Sequence, residues 1–172
     1  MSQRDSGYER KERDLYETPA WVTEALLPHL PTGISSVLEP ACASGKMVAV
    51  LELAGYQVYS SDIDQGVDFL DQTREDGLFD AVITNPPYEL AREFIEKAMT
   101  ISDCVAMLLR TDYDHARTRA FLFGDCREFA KKVVLTKRIK WFEDSKGQPS
   151  FNHAWFIWNS THSGPPTLAY AP

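Results

Sequence analysis

Residues 79–88 of the chain run FDAVITNPPY, and this stretch predicts a buried strand that ends abruptly. The part FDAVIT, at 79–84, is mostly apolar or β-branched, which favours a strand. Two successive prolines cannot extend a central strand, because neither has a backbone N–H to donate. The part NPPY, at 85–88, is therefore a rigid turn at the strand's exit. It is either a simple strand terminator or a means of presenting Asn85 and Tyr88 at a site.

Outward from this strand, strand-like and helix-like segments alternate along the chain. Further strands are predicted at 35–40, 57–61, 104–109, 133–135 and 153–158, the last two as an antiparallel pair; 68–70 is a minimal strand or only a loop. Helices are predicted from Thr18 (as cap) and Pro19 (in the first turn), and at 46–54, 90–99 and 117–123. This alternation predicts a single-domain α/β fold with a doubly wound, mainly parallel sheet.

Composition limits the classes of function. The 172 residues include 18 Lys plus Arg against 25 Asp plus Glu, a net charge of −7. This balance argues against indiscriminate nucleic-acid binding through a positively charged coat. One segment, 131–141, holds five basic residues and is either a phosphate-binding patch or a strand with solvated lysines.

The same survey predicts the organisation of the chain. Residues 1–15 are mostly charged and are expected to be a mobile arm, 16–160 the folded domain, and 161–172 a frayed tail. No apolar run is long enough to span a membrane, and the first residues lack the apolar core of a secretory signal. Three scattered cysteines predict neither a disulfide framework nor a metal site, which favours a reducing cytoplasm.

Polar residues follow three of the predicted strands directly. Glu39 ends the first strand, Asp62 follows the second, and Asn85 follows 79–84. Ligands of doubly wound sheets bind outside the carboxyl ends of the strands, so these three side chains are expected at one site. Taken alone, Asp62 is equally well a solvated loop carboxylate. The small-residue turn from Glu39 to Gly45 has a plain strand-to-helix connection as its less favoured alternative.

The NPPY turn after a buried strand resembles the catalytic motif of class I S-adenosylmethionine-dependent methyltransferases that modify planar amide or amino nitrogens. The turn EPACASG at 39–45 matches that family's cofactor motif, and Thr18-Pro19, Asp62 and Asp68-Phe69 match three further motifs. Their order resembles that of unpermuted N6-adenine DNA methyltransferases. The small size resembles the compact adenine methylases of phages and prophages.

The resemblance implies a Rossmann-like fold of the seven-stranded type and S-adenosylmethionine as the cofactor. It implies catalytic roles for Asn85, Pro86 and Tyr88. It implies cofactor contacts from the following residues: Thr18, Pro19, Glu39, Pro40, Ala41, Ser44, Gly45, Asp62, Asp68, Phe69 and Asn85. The chain departs from the family at Ala43, where glycine is usual. If that position needs a positive φ, alanine costs on the order of 1 kcal/mol.

The chemistry of amine methylation explains these residue types. The lone pair of an adenine amine is delocalised into the ring, so the amine is a poor nucleophile. Two fixed acceptors, the Asn85 side-chain oxygen and the Pro86 carbonyl, would hold its two hydrogens and favour a pyramidal nitrogen. The ring of Tyr88 offers a face on which the base stacks. No metal is required.

Further residues are candidates for contact with the substrate. Tyr113, Arg117 and Arg119 follow the strand expected beside the catalytic one, where they either touch bases and phosphates or form a solvated loop. Phe151 is either a second wall for the base or a core residue. The expected substrate is DNA, with sequence recognition supplied by short loops or by a partner. RNA, a protein glutamine, or a silent cofactor-binding subunit are the alternatives.

Overall fold

A computed structural model describes residues 16–73, 79–141 and 151–172. In these residues one sheet of seven strands has the order β2-β1-β3-β4-β6-β5-β7. The strands are β1 (Ser36–Glu39), β2 (Gln57–Ser60), β3 (Phe79–Thr84), β4 (Ser102–Arg110), β5 (Phe129–Leu135), β6 (His153–Asn159) and β7 (Thr167–Ala171). The predicted arm at 1–15 lies outside the described residues.

Within the described residues, three α-helices flank the sheet: α1 (Ala20–Glu24), α2 (Lys46–Leu53) and α3 (Ala91–Ile101). Helix α3 buries the stripe of apolar side chains that its sequence predicts, including Phe94, Ile95 and Ala98. Short 3-10 helices fill several connections, at Leu27–His29, Ile63–Gln65, Phe69–Asp71, Tyr88–Leu90, Tyr113–His115 and Arg117–Leu122. None of the helices in the described ranges is long and apolar enough to cross a membrane.

The strand pairing confirms the predicted doubly wound, mainly parallel sheet. Strand β1 lies between β2 and β3 and is parallel to both, and β3 is parallel to β4. Strand β6 runs antiparallel to β4 and β5, which confirms the predicted antiparallel pair. Because the chain leaves β1 toward β2 on one side and returns to β3 on the other, a crevice opens at the carboxyl ends of β1 and β3.

The core lies on both faces of the sheet, and β6 shows how one strand serves both. Trp155 and Ile157 pack on the face covered by α1 and α2, whereas Phe156 and Trp158 pack on the face covered by α3. The buried indole N–H of Trp155 donates to the Val22 carbonyl at 2.8 Å, and that of Trp158 to Leu122 at 2.6 Å. Satisfied in this way, the two largest side chains can be fully buried.

The prediction that residues 161–172 form a frayed tail is wrong for Thr167–Ala171, which form strand β7. Strand β7 pairs in parallel with β5 from Lys131↔Thr167 to Leu135↔Ala171. The Thr136 N–H also donates to the Ala171 carbonyl at 2.8 Å. Backbone groups of β5 would otherwise lie at an unpaired sheet edge, and β7 satisfies them.

Two local expectations also need correction. The segment 68–70 is not a strand: Asp68 caps the 3-10 helix Phe69–Asp71 by accepting from the Leu70 N–H at 2.9 Å. Thr18 does not cap α1, whose N-cap is Pro19 without any side-chain capping bond. Thr18 is instead 5% exposed and faces the site described below.

Candidate active site

An open pocket lies at the carboxyl ends of β1 and β3; its volume of about 280 Å³ includes the open solvent at its mouth. Three segments form it: 16–18 from the start of the described chain, 39–47 after β1, and Asn85 after β3. Five of the residues predicted for cofactor binding line it, namely Thr18, Glu39, Ala41, Ser44 and Asn85. The structure therefore brings together residues that are up to 67 positions apart in the sequence, from Thr18 to Asn85.

Glu39, the last residue of β1, is the buried acid of this pocket, with 1% of its surface exposed. Its Oε1 accepts a hydrogen bond from the Thr84 hydroxyl at 2.5 Å and another from the Ala41 N–H at 3.1 Å. Burial raises the pKa of Glu39 to about 8, although both hydrogen bonds act in the opposite direction. At neutral pH the carboxyl is thus largely protonated and becomes charged readily when a cation approaches.

The turn after Glu39 contains the alanine that departs from the resembled family. Ala43 has φ +45°, so the position does require the left-handed conformation, and alanine there costs about 1 kcal/mol. Its N–H donates to Asp62 Oδ2 at 2.9 Å. Gly45, at φ +83°, precedes α2, and its N–H donates to the Cys42 carbonyl at 2.7 Å.

Asp62 is 7% exposed and supports this turn rather than lining the pocket. Its Oδ2 is engaged by Ala43, and its Oδ1 accepts from the Asp64 N–H at 3.0 Å. Both carboxylate oxygens therefore already bind backbone amides. The predicted contact of Asp62 with the cofactor's ribose stays a prediction.

The other predicted cofactor residues also stand outside the pocket lining: Pro19, Pro40, Gly45, Asp68 and Phe69. Phe69 is 2% exposed and packs against Phe94, with ring centres 4.9 Å apart. Its ring is thus a core element, and the exposed Asp68 caps the short helix that carries it. Neither residue lines the pocket, so their role in cofactor binding also stays a prediction.

Asn85 opens the NPPY turn and lines the pocket. Its Nδ2 donates to the backbone carbonyl of Tyr16 at 3.1 Å, which turns the amide so that Oδ1 faces away from that carbonyl. Pro86 is buried, and Pro87 is the N-cap of the 3-10 helix Tyr88–Leu90. The turn therefore holds an amide oxygen in a fixed direction. The contact with Tyr16 had no sequence signal, because it involves only a backbone oxygen.

Tyr88 and Phe151 expose their rings beside this turn, 45% and 44% respectively. The alternative that Phe151 is a core residue is therefore wrong. The guanidinium of Arg110 lies over both rings, 4.2 Å from the ring centre of Phe151 and 5.9 Å from that of Tyr88. We call these three residues the Tyr88–Arg110–Phe151 surface.

Arg110 begins the segment 110–119 that was predicted to contact substrate, but no role was predicted for its own side chain, although its position as the last residue of β4 was a signal for one. Its Nε and Nη2 donate to the two oxygens of Asp112 at 3.0 and 2.7 Å. Burial lowers the pKa of Arg110, but hydrogen bonding to Asp112 and the nearby Tyr88 outweighs it, and the net shift is upward. The side chain is thus a permanently charged, fixed cation.

The residues predicted after β4 are placed differently. Tyr113 is 7% exposed and packs edge-on against Phe123, so its ring has little face left for a base. Arg119 covers that ring at 4.1 Å and donates from Nε to the Tyr113 carbonyl at 2.7 Å. Arg117 is exposed, and its contact with substrate stays a prediction.

The basic segment 131–141 is mostly engaged within the protein. Lys132 donates to Asp114 Oδ2 at 2.7 Å and to the Thr111 carbonyl at 2.8 Å. Arg138 donates to Asn152 at 2.9 Å, and the Lys137 ammonium lies 4.8 Å from the ring centre of Trp21. These contacts favour the amphipathic-strand alternative over a continuous phosphate track.

No family model and no curated protein matches the chain. Among solved structures, it is similar to the type IIG restriction endonuclease BpuSI, with 16% identity, a TM-score of 0.59, and 84% of this chain but 24% of the endonuclease covered. It is similar to PH1948 from Pyrococcus horikoshii, described as a candidate RNA methyltransferase, with 18% identity, TM-score 0.56 and 84% and 90% coverage.

A third similar structure is the release factor-specific protein-(glutamine-N5) methyltransferase from Alicyclobacillus acidocaldarius, with 19% identity and TM-score 0.50. The alignment covers 84% of this chain and 95% of that enzyme. Because the identities are low, these likenesses establish the fold. The chain thus has the Rossmann-like α/β fold that these proteins share, and it spans about a quarter of the endonuclease.

Proposed function

We propose that this protein transfers a methyl group from S-adenosylmethionine to the exocyclic N6 amine of adenine in DNA. One observation carries the proposal: Asn85, held by the Tyr16 carbonyl, lines the pocket of Glu39, while Tyr88 exposes its ring three residues further on. A pocket for a small polar molecule and a flat surface for a base thus meet at one rigid turn. That juxtaposition is what transfer of a group to a planar amine needs.

The side chains around the pocket fit the amino-acid end of such a cofactor. The buried carboxyl of Glu39 suits an ammonium group, and the Lys46 ammonium and Thr18 hydroxyl suit a carboxylate. Lys46 lies 2.6 Å from Glu17, so a pair of opposite charges already borders the pocket. When bound, the cofactor would supply a methyl group activated by its positively charged sulfur.

The residues of the turn would then prepare the acceptor amine. Asn85 Oδ1 and the Pro86 carbonyl would accept the two N–H hydrogens and draw electron density toward the nitrogen. Because prolines fix this turn, the acceptors need little reorganisation as positive charge develops on the amine. Tyr88 would support the ring of the base, with Phe151 on the neighbouring loop. The proton released after transfer would pass to solvent.

RNA and protein glutamine are the alternative substrates, and the fold neighbours include proteins named for each. The Tyr88–Arg110–Phe151 surface favours a nucleic acid over a glutamine side chain. A base has two large π-faces that can stack on an aromatic ring, whereas a primary amide has only a small planar surface. Sequence recognition by a partner protein, and a cytoplasmic location, are parts of the same proposal.

Methyl transfer from cofactor carrying a labelled methyl group to DNA, RNA and protein, followed by nucleoside analysis, tests the proposal. The expected product is N6-methyladenine in DNA, with no label in DNA lacking adenine. Label in RNA or in glutamine would overturn the choice of substrate and keep the mechanism. Cofactor binding without any transfer would favour a silent subunit, and no thermal shift at millimolar cofactor would refute the cofactor assignment.

A further inference from the structure

Arg110 occupies a position that neither the cofactor pocket nor the acceptor turn uses. It ends β4 at the carboxyl edge of the sheet, where it pairs with His153 on β6. This register places the guanidinium beside Phe151, two residues before His153, and beside Tyr88 at the exit of the neighbouring β3. A cation thus lies over one face of each of the two exposed rings, 4.2 Å from the ring centre of Phe151 and 5.9 Å from that of Tyr88.

The hydrogen bonds of Arg110 occupy only part of the guanidinium. Nε and Nη2 bind the two oxygens of Asp112, so this edge is occupied. The side chain also hydrogen-bonds to Tyr88, and because a guanidinium carries five N–H groups, some of them remain for the oxygens of a phosphate. The planar group also stacks on Phe151 at 4.2 Å, which holds it in one orientation.

The neighbouring basic side chains are committed elsewhere. Lys132 binds Asp114 and the Thr111 carbonyl, and Arg119 binds the Tyr113 carbonyl. His153 adds no positive charge, because burial and the Arg110 charge lower its pKa to about 4. In the described part of the surface, Arg110 is thus the cation that lies over both exposed rings.

We propose that Arg110, beside the rings of Tyr88 and Phe151, binds a backbone phosphate next to the target base. The inference rests on the proposed function and deepens it, because it makes a nucleic-acid strand the recognised substrate. Stacking accepts every base, whereas a phosphate contact fixes where the strand lies relative to the turn. Arg110 would therefore position the amine against Asn85 by anchoring the strand.

Salt dependence of binding measures such a contact directly. The probe is a fluorescent single-stranded oligonucleotide with one adenine, titrated with protein and S-adenosylhomocysteine at several salt concentrations. R110Q is expected to weaken binding about 10-fold and to reduce the slope of log K against log salt by about 0.7, the loss of one phosphate contact on a single strand. R110K should keep the slope, because it keeps the charge. R127Q is the matched control, since Arg127 is exposed before β5, at the opposite edge of the sheet.

A second measurement needs no variant and covers the case in which R110Q fails to fold. Neutral methylphosphonate replaces the phosphate on either side of the adenine in the oligonucleotide. One of the two substitutions should weaken binding to the unaltered protein about 10-fold. R110Q should bind that modified oligonucleotide and the unmodified one with equal affinity. Equal binding of all probes by the unaltered protein, or an unchanged slope in folded R110Q, would overturn the role of Arg110. Failure of the proposed function would look different: no oligonucleotide would be bound or methylated at all.

Discussion

The carboxylate of Asp62 accepts a hydrogen bond at 2.9 Å from the backbone N–H of Ala43, 19 residues earlier in the chain. Among the residues that the structure describes, Ala43 is the one non-glycine residue with a positive φ, at +45°. The residue after β2 thus holds the strained turn that follows β1, and this turn lines the pocket. A strained backbone conformation of this kind persists where neighbouring groups hold it in place. The hydrogen bond to Asp62 holds Ala43 in this way.

Replacing Ala43 by glycine should therefore stabilise the protein. Glycine adopts a positive φ without the Cβ clash, so the free energy of unfolding should rise by about 1 kcal/mol. Urea denaturation followed by circular dichroism measures the change. Ala41→Gly is the control, because Ala41 lies in the same turn without a positive φ and should lose about 0.5–1 kcal/mol. Equal losses in both variants would contradict the strain at Ala43.

Removing the Asp62 carboxylate should act on stability and on the pocket together. Asp62→Ala leaves the N–H groups of Ala43 and Asp64 without their acceptor, which should lower the free energy of unfolding by about 2 kcal/mol. Calorimetry should also show weaker binding of S-adenosylhomocysteine, because the turn loses its support. Asp71→Ala, which removes an exposed carboxylate, should change neither quantity. Full cofactor affinity in Asp62→Ala would mean that the turn holds without it.

The buried carboxyl of Glu39 should make stability depend on pH. Its pKa is about 8 in the folded protein against an ordinary value of 4.5, so the folded state binds the proton more tightly. The stabilisation is present below pH 4.5 and is lost as the pH rises through 8, by on the order of a few kcal/mol. Glu39→Gln cannot ionise, and the difference in stability between it and the unaltered protein should grow over that window. Taking this difference removes the opposite trend of His153, whose pKa is lowered to about 4. A difference independent of pH would contradict the shift.

The fold was largely predictable because its strands are apolar runs separated by turn residues. The predicted strand at 79–84 coincides with β3, and the antiparallel pairing of β5 with β6 is as expected. Strand β7 was missed because TLAYA is short, follows two prolines, and forms only through pairing with β5, more than 30 residues away. Such pairing depends on which strand is left at the edge, and local sequence does not record that.

The site residues that lie at the carboxyl ends of strands were predictable from the sequence. Glu39 and Asn85 were predicted for that reason, and both line the pocket. Arg110 was missed because its importance depends on the β4–β6 register, which brings it to Phe151. Tyr113 has a polar loop sequence around it, yet its ring packs into the core against Phe123. Cross-strand register and side-chain packing are both properties of the assembled sheet.

Tyr88 offers a test of the stacking surface. Tyr88→Ala removes the exposed ring, and kcat/KM for DNA methylation should fall about 10- to 100-fold, the usual range for one base–aromatic contact. Tyr88→Phe keeps the ring face and loses only the hydroxyl beside Arg110, so its loss should be smaller, within about fivefold. Tyr170→Ala is the control, because that exposed ring lies on β7, separated from β4 by two strands. Equal activity of Tyr88→Ala and the unaltered protein would place the base elsewhere.

Substitution of Asn85 tests whether the NPPY turn is catalytic or only structural, because the Asn85 side chain supplies one of the two acceptors proposed for the amine. Asn85→Ala keeps the prolines and the other residues that line the pocket, so S-adenosylhomocysteine should still bind. The lost bond to the Tyr16 carbonyl should lower the free energy of unfolding by only about 1 kcal/mol. Turnover should nevertheless fall roughly 10²–10³-fold, the usual effect of removing one preorganised polar contact from a transition state.

The fall should appear in kcat rather than in KM, because the acceptor matters most when the amine becomes positively charged. It should be seen on DNA that contains adenine, and DNA without adenine should give no product with either protein. Single-turnover methyl transfer, measured with the labelled cofactor, isolates the chemical step from product release. If Asn85→Ala methylates as fast as the unaltered protein, the NPPY turn only terminates β3, and the acceptor for the amine must be sought elsewhere along the carboxyl edge of the sheet.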